Sequence, residues 1–219
     1  METTPHLLNE YKAFTLQTTV SEAKSLFYET IFCCFPIVKD NQLIGLISEN
    51  DVQGIYENDK VLENFQNLFV LFSIEENNNL LEIIKVFASQ ETNIVPVLNA
   101  NNEYIGYYDL IDILHIYNET PFLNNDGIVL LLEKEIRDYS FSEICQIVES
   151  NNGKLLGIFI SESNATTVKI TIKFSSQDVN EIIQSFRRYN YKVLSKHKED
   201  FYLDDLKDRS DYLQKYLNI

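Results

Sequence analysis

Apolar and polar residues in the first half of the chain follow a pattern that occurs twice. Residues 41–52 read NQLIGLISENDV, and residues 102–113 read NEYIGYYDLIDI. Gly45 and Gly106 are 61 positions apart. In each stretch a polar turn precedes a short apolar run, and apolar residues then recur at helical spacing. Both stretches therefore predict the same strand–turn–helix unit.

The match continues upstream of these glycines. Residues 35–45 (FPIVKDNQLIG) and 95–106 (VPVLNANNEYIG) each predict a strand–turn–strand. Before them, apolar positions at helical spacing predict two helix faces, formed by Val20, Ala23, Leu26, Phe27 and Ile31 and by Leu80, Ile84, Phe87 and Ala88. Short strands are expected at 13–18 and 68–74. Each unit thus has the order β-α-β-β-α, which indicates an internal repeat.

After residue 126 the pattern changes. Strands are predicted at 127–133 (GIVLLLE) and 191–197, and a hairpin is predicted at 154–174 with its turn at Asn164 and Ala165. Helices are predicted from Ser140 to a stop at Gly153, and from a cap at Ser176. The order β-α-β-β-α-β is the ferredoxin-like arrangement. The last predicted element is an amphipathic helix at 198–219, with Leu203, Leu206, Leu213 and Leu217 on one stripe.

Charge supports a boundary between these halves. The chain has 219 residues and a net charge of −15, and residues 1–126 hold 5 Lys and no Arg against 19 acidic residues. Residues 127–219 are nearly neutral, so a domain boundary is expected near Thr120–Gly127. The acidity argues against nucleic acid or an anionic membrane as a partner. The chain shows no signal peptide and no membrane-length apolar run, so a cytoplasmic location is expected.

Candidate catalytic and metal-binding residues are sparse. Cys33 and Cys34 lie in an apolar run and are expected to be small buried hydrophobes rather than disulfide or zinc ligands. His6, His115 and His197 are far apart in sequence, so no metal site and no catalytic use is predicted for them. Phosphate-binding glycine loops, nucleophile elbows and HExxH motifs do not occur. We therefore expect a protein that is not an enzyme and has no resident cofactor.

The repeat resembles a tandem pair of CBS motifs, with motif 1 at residues 1–60 and motif 2 at 61–120. The resemblance rests on the Pro-led strand, the Gly and the acid six residues after it. It implies an α/β (α+β) fold, with two clefts that often bind adenine nucleotides and modules that pair into dimers. The implied nucleotide-binding residues are Pro36, Ser48 and Asp51 in the first motif and Pro96, Asp109 and Asp112 in the second.

Two interpretations of Ser48 and Asp51 remain open. The hydroxyl and the first helical N–H groups suit a phosphate, and the carboxylate suits the ribose hydroxyls. The same residues also form an ordinary helix N-cap that needs no ligand. In the second motif Asp109 replaces the hydroxyl residue, and its negative charge would repel a phosphate. The second cleft is therefore expected to be degenerate.

Residues 127–197 resemble an ACT domain, a small-molecule sensor with ferredoxin-like topology, and the combination resembles CBS–ACT proteins of the acetoin-utilisation regulator type. The resemblance implies an effector, often an amino acid, at the loop 134–140 (KEIRDYS), where Arg137 and Asp138 are candidate contacts or ordinary surface residues. We expect a homodimeric regulator of an unknown partner. Its effector would be AMP, ATP, S-adenosylmethionine or an amino acid. The alternative is a ligand-free scaffold with degenerate sites.

Overall fold

The computed structural model describes residues 6–195 and Tyr212, and it divides into two units between Asn118 and Glu119. The division falls just before the expected boundary at Thr120–Gly127. Apart from Tyr212, the helix expected at 198–219 lies outside the described residues. Within the described part of the chain, no helix has both the length and the apolar character that a membrane span requires.

The first unit repeats one order of elements. The first repeat contains α1 (Val20–Glu29), β1 (Cys34–Lys39), β2 (Gln42–Ser48) and α2 (Glu49–Gly54). A 3-10 helix (Leu62–Leu68) leads to the second repeat, which contains β3 (Ile74–Glu75), α3 (Leu80–Gln90), β4 (Ile94–Leu98), β5 (Tyr104–Asp109) and α4 (Leu110–Asn118). The strands β1–β2 and β4–β5 are antiparallel pairs, each with one register irregularity. The predicted repeat is therefore present in three dimensions.

The strands predicted at 13–18 and 68–74 are much shorter than expected. In the first segment only Phe14 forms a bridge, parallel to Ile37 of β1. In the second segment the 3-10 helix extends to Leu68, and the strand β3 begins only at Ile74. The second segment pairs only at Val70, with Leu46, and at Ile74, with Val97. The alternating apolar residues of both segments therefore serve packing rather than a long ladder.

The two long helices begin with the same capping chemistry. Thr19 caps α1 and Asn79 caps α3, and in each case a glutamate three residues later completes a capping box. The buried faces consist of Val20, Ala23 and Phe27 in α1 and Leu80, Ile83 and Phe87 in α3. Two predicted positions were wrong. Ile31 follows the end of α1 and is 77% exposed, and Ala88 is exposed because the buried stripe of α3 runs through Ile83.

Each repeat lends its leading segment to the other repeat. Leu8, ahead of the first repeat, donates its N–H to the Tyr107 carbonyl of β5 at 2.9 Å and accepts in return at 3.0 Å. Val70, ahead of the second repeat, exchanges the same two bonds with Leu46 of β2, at 2.7 and 3.0 Å. We call residues 7–8 and 69–70 the crossing segments. They join the two repeats into one unit.

The repeated glycines lie where the crossing segments approach the strands. A Cβ at Gly106 would lie 2.5 Å from the carbonyl oxygen of Leu8, and Gly106 has φ +152°. A Cβ at Gly45 would lie 3.0 Å from the Cβ of Phe69. Only glycine lets a backbone approach a strand this closely. The most regular feature of the repeated sequence pattern is therefore explained by packing between the repeats.

The second unit has the predicted β-α-β-β-α-β order. After the short α5 (Pro121–Asn124) come β6 (Ile128–Glu135), α6 (Phe141–Ser150), β7 (Lys154–Ser163), β8 (Thr167–Ser175), α7 (Val179–Arg188) and β9 (Lys192–Val193). The sheet order is β7-β8-β6-β9, and every neighbouring pair is antiparallel. This is the ferredoxin-like topology. Its core lies between one sheet face and the apolar sides of α6 and α7.

The predicted helix ends in this unit are only partly right. Ser140 caps α6, as expected, by accepting the N–H of Glu143. Asp178 rather than Ser176 caps α7, and the Ser176 hydroxyl instead accepts the N–H of Asp178. After α6 the left-handed position belongs to Asn152, with φ +57°, and not to Gly153. Asn tolerates this conformation well, so glycine was not needed there.

Candidate functional site

The first candidate site lies where β2 ends and α2 begins. Ser48 is the N-cap of α2, and its Oγ accepts the N–H of Asp51 at 3.0 Å. The same hydroxyl donates to Oδ2 of Asp51 at 2.6 Å. Both side chains are half-buried. The structure thus brings together the two residues that the sequence pairs. They form a helix cap in which the hydroxyl and the carboxylate already hydrogen-bond to each other.

The corresponding site in the second repeat has two carboxylates. Asp109 ends β5, and its Oδ1 accepts the N–H of Ile111 at 2.7 Å and that of Asp112 at 3.3 Å. Asp109 therefore replaces the serine as a cap and adds a negative charge at the same place. Two unit charges 4 Å apart interact with about 1–4 kcal/mol at dielectric constants from water-like to surface-like. The cap position thus carries a negative charge in the second repeat and a neutral hydroxyl in the first, while the first turn of α2 has two acidic residues of its own, Glu49 and Asp51.

The two sites are linked through the residues that precede β1 and β4. The carbonyl of Cys33 accepts the N–H of Glu49 in α2 at 2.9 Å, and the carbonyl of Asn93 accepts the N–H of Leu110 in α4 at 3.0 Å. The side chain of Asn93 then joins the repeats, because its Oδ1 accepts the N–H of Cys33 at 3.0 Å. Its Nδ2 donates to the carbonyl of Ile31. Both helix starts are thus tied to one junction.

The two prolines lie farther along the strands. Ser48 is opposite Cys34, whereas Pro36 is opposite Leu46. In the second repeat Asp109 is opposite Ile94, and Pro96 is opposite Tyr107. Both prolines are buried. They lie two positions along the strand from the residues opposite Ser48 and Asp109. The prolines therefore pack inside each repeat rather than at the helix start.

The junction also carries a thiol pair that the sequence interpretation placed incorrectly. Cys34 is buried as expected, but Cys33 is exposed. The side chain of Thr92 reaches both, with its Oγ1 at 3.5 Å from Cys33 Sγ and 3.3 Å from Cys34 Sγ. Cys33 precedes β1, whereas Cys34 is the first of four successive buried residues at the start of that strand.

The pKa values of the two thiols are shifted in opposite directions. The hydrogen bond from Cys34 lowers the pKa of Cys33 to about 5, with smaller help from Thr92 and against the effect of burial. The same hydrogen bond, together with burial, raises the pKa of Cys34 far above its ordinary value. The pKa of Cys33 thus lies below the ordinary value for a thiol, and that of Cys34 lies above it.

In the second unit the expected effector loop connects β6 to α6. Arg137 and Asp138 lie in its turn, and both side chains are exposed. The more buried cation of this region is Lys134, whose Nζ lies 3.4 Å from Glu143 and 4.0 Å from the centre of the Tyr191 ring. Lys134 also donates to the carbonyl of Tyr189. Its donors are thus engaged in holding the loop to α6 and to the segment after α7.

Two shallow polar cavities lie beside α6 and α7 in the same unit. One has a volume of about 230 Å³ and includes Ser185 and Arg188, and the other has a volume of about 290 Å³ and includes Asp178 and Glu181. Ser150 and Asn151 line both of them. Within the described residues, no group of three or more His, Cys, Asp and Glu side chains is placed to hold a metal ion.

Comparison with known proteins identifies the first unit. The model of the CBS domain family matches residues 9–57 and again residues 70–119. The chain therefore carries a tandem CBS domain pair, as the repeat predicted. An uncharacterised protein of Methanocaldococcus jannaschii is 25% identical over 105 residues, which are 47% of this chain and 40% of the relative. The chain thus matches less than half of that relative's length.

Solved structures of low sequence identity are also similar to this chain. A CBS domain pair/ACT domain protein from Thermotoga maritima has 18% identity and a TM-score of 0.47, and the match covers 54% of this chain and 98% of that one. The structure of CBSX2 in complex with AMP has 18% identity and a TM-score of 0.45, with 53% of this chain and 95% of that chain covered.

Proposed function

We propose that this chain is a non-catalytic, homodimeric regulatory protein whose CBS pair binds an adenine nucleotide or a related adenosine compound. The observation that carries the proposal is the position of Ser48 and Asp51 in the first CBS domain. A hydroxyl and a carboxylate there share the start of α2, which is the arrangement that suits a phosphate and a ribose. We further propose that the protein is cytoplasmic and acts on a partner protein through its dimer.

The first turn of α2 suggests how a ligand would bind. The N–H of Glu49 is held by Cys33, and the N–H of Asp51 is held by Ser48. The first N–H groups of a helix have no acceptor within the helix. The N–H of Asn50, between Glu49 and Asp51, is the donor that would bind a ligand. Asp51 would exchange its bond from Ser48 for bonds from ribose hydroxyls, which frees the Ser48 hydroxyl to donate to an anion.

Charge favours ligands with few phosphates. Residues 1–126 contain 5 basic and 19 acidic side chains. A polyphosphate brought to this surface would meet repulsion from many sides. AMP, adenosine and S-adenosylmethionine suit the site better than ATP, and S-adenosylmethionine adds a positive sulfonium that the acidic surroundings would attract.

Exposed apolar side chains on the CBS helices support the dimer. Tyr28 of α1, Tyr56 just after α2, Leu81 of α3 and Ile111 of α4 are all more than half exposed. They belong to both repeats, and both helix pairs thus present apolar side chains to solvent. A monomeric protein gains little from exposing large apolar groups on several neighbouring helices, whereas a dimer would bury them.

For the second unit we propose an ACT-like sensor domain that takes a small effector such as an amino acid. The ferredoxin-like order of its strands supports this proposal. Arg137 and Asp138, in the exposed turn after β6, are the candidate contacts for the carboxylate and the ammonium group of that effector.

One observation favours the alternative, a ligand-free scaffold. Ser48 and Asp51 already satisfy each other, and Asp109 places a charge where the second site would need a hydroxyl. A cap of this kind is stable without any ligand. In this second candidate function the CBS pair would serve only to hold the dimer and to present a surface to the partner.

Calorimetric titration separates the two functions. AMP, adenosine and S-adenosylmethionine would be titrated into the full chain and into Asp51→Ala, with Asp112→Ala as the matched control in the second repeat. Sensing predicts binding that Asp51→Ala abolishes and that Asp112→Ala leaves nearly unchanged. If no compound binds at millimolar concentration while the protein remains dimeric, the scaffold function is correct.

A further inference from the structure

A buried serine lines the smaller of the two cavities beside α6 and α7. Ser185 of α7 is only 4% exposed, and it belongs to the wall of the cavity of about 230 Å³. Its Oγ accepts two hydrogen bonds, from Nη2 of Arg188 at 2.6 Å and from Nδ2 of Asn151 at 3.3 Å. Both partners line the same cavity. Because guanidinium and amide nitrogens only donate, the Ser185 oxygen is the acceptor in both bonds, and its own hydrogen is directed elsewhere.

The hydroxyl hydrogen of Ser185 is an unused donor. Serines within helices can donate to the carbonyl of the preceding turn, as Ser25 of α1 does to Ser21 at 3.1 Å. Ser185 forms no such bond, and in the described part of the chain no group accepts its hydrogen. A buried donor without an acceptor costs free energy. An acceptor on a ligand in the adjoining cavity would remove this cost.

Arg188 supplies the charge of this cavity. It lies in the last turn of α7, and its guanidinium donates back to Ser185, three residues earlier. Among the described residues no Asp or Glu forms a salt bridge with it. A guanidinium carries several N–H donors in a planar fork, and the bond to Ser185 uses one of them. The rest of the fork suits the paired oxygens of a carboxylate or a phosphate.

The remaining polar side chains around this cavity are neutral. Gln146 and Ser150 of α6 contribute an amide and a hydroxyl, and Asn151 is held by a bond from its Nδ2 to the Ile147 carbonyl at 2.7 Å. Within residues 6–195 no Asp or Glu lines the cavity. Its wall thus carries one positive charge, although the net charge of the chain is −15. This local change of sign favours an anionic ligand.

We propose that the cavity beside Ser185 and Arg188 binds a small oxyanion, the carboxylate or phosphate group of a ligand. The guanidinium of Arg188 donates to the anion, and the Ser185 hydroxyl donates the hydrogen that it does not use within the protein. The adjoining cavity contains Asp178 and Glu181, which repel an anion and confine it to the Arg188 end. This site is additional to the functions proposed above, since Arg137 of the effector loop does not line it.

The test is an NMR titration of the ¹⁵N-labelled full chain with sodium phosphate or sodium acetate, against sodium chloride at the same ionic strength. The side-chain amide signals of Gln146 and Asn151 report on the cavity. We expect them to shift and to saturate at millimolar phosphate, acetate or both, and the probe that binds identifies the chemical group. Asp51→Ala, in the first CBS domain, should leave these shifts unchanged. No saturable shift with either probe would overturn the proposal.

Three substitutions test the two donors. Arg188→Gln removes the charge at an exposed position and should weaken binding at least about tenfold. Ser185→Ala removes the buried hydroxyl and should weaken binding about threefold to tenfold. Arg187→Gln is the matched control, because it removes the same charge from the next position, which is not part of the cavity wall. It should change the affinity less than about twofold.

Circular dichroism of each variant before titration shows whether it is folded, and Arg188→Gln tests the proposal even if Ser185→Ala does not fold. Equal losses of affinity from Arg188→Gln and Arg187→Gln would mean that the anion is attracted only by the general charge of this helix end. That result, or unchanged binding by Arg188→Gln, would contradict a site built around Ser185 and Arg188.

Discussion

Leu8 and Tyr107 exchange two backbone hydrogen bonds, of 2.9 and 3.0 Å, although they are almost a hundred residues apart in the chain. Val70 and Leu46 form the same exchange between the other halves of the two repeats. Gly106 and Gly45, next to Tyr107 and Leu46, let the crossing segments come this close to the strands. The crossing segments and the repeated glycines therefore depend on each other. The stability of the CBS pair should depend on them.

Substitution of Gly106 tests this device. Gly106→Ala places a Cβ against the carbonyl of Leu8 at a φ that alanine rarely adopts, and it should cost at least about 1–3 kcal/mol. Gly54→Ala is the matched control, because Gly54 ends α2 with no atom near its added Cβ. It should stabilise the protein by about 0.4–1 kcal/mol. Urea unfolding measures both, and equal effects would contradict the role of the crossing segments.

The charge difference between the two CBS sites predicts the effect of Asp109→Ser. The serine keeps a helix cap but removes the negative charge at the start of α4. If the wild type binds one AMP per chain, this variant should bind a second, with the first site unchanged. Calorimetric stoichiometry gives the result, and adenosine, which lacks the phosphate, should gain much less from the substitution. An unchanged stoichiometry would show that charge does not disable the second site.

The exposed apolar helix residues predict a dimer at micromolar concentration. Ile111→Glu places a charge on the exposed face of α4 and should shift the mass measured by light scattering toward the monomer. Asn118→Glu adds the same charge to an exposed position of the same helix and serves as the control. A monomeric wild type, or equal dissociation of the dimer by both substitutions, would argue against this face of α4 as the dimer interface.

Tyr191 predicts a loss of stability at alkaline pH. Burial raises the pKa of Tyr191 to about 12, above the value of about 10 in an unfolded chain. Its contribution to stability is complete below about pH 10 and is lost as the pH rises toward 12. Chemical unfolding at several pH values should show a steeper alkaline loss for the wild type than for Tyr191→Phe. If the free energies of unfolding of the two proteins fell in parallel with pH, the ionisation of Tyr191 would not be coupled to unfolding.

Much of the architecture could be predicted because periodicity reports directly on packing. The repeat, the paired strands and the ferredoxin-like order follow from apolar residues at spacings of two or of three to four. Helix starts were predictable where one residue supplies the cap, as Ser140 does. The start of α7 was less predictable, because both Ser176 and Asp178 can accept an N–H and only the backbone conformation decides which of them caps the helix.

The site was harder to predict because it depends on contacts between distant segments. Ser48 and Asp51 are three residues apart, so their hydrogen bond is local and visible in the sequence. The contact of Thr92 with the two cysteines joins residues 58 and 59 positions apart, and no spacing rule anticipates it. For the same reason the glycines were recognised as a motif, but the strand-crossing that requires them was not.

The crossing segments also determine what a single copy of the repeat could do. A chain that held only one repeat would have a leading segment with no strand to pair with and a strand edge with no segment to cover it. Two such chains could satisfy each other by the same reciprocal exchange, as domain-swapped protomers do. The tandem gene product thus resembles a fused dimer, in which covalent linkage replaces mutual recognition between two separate halves.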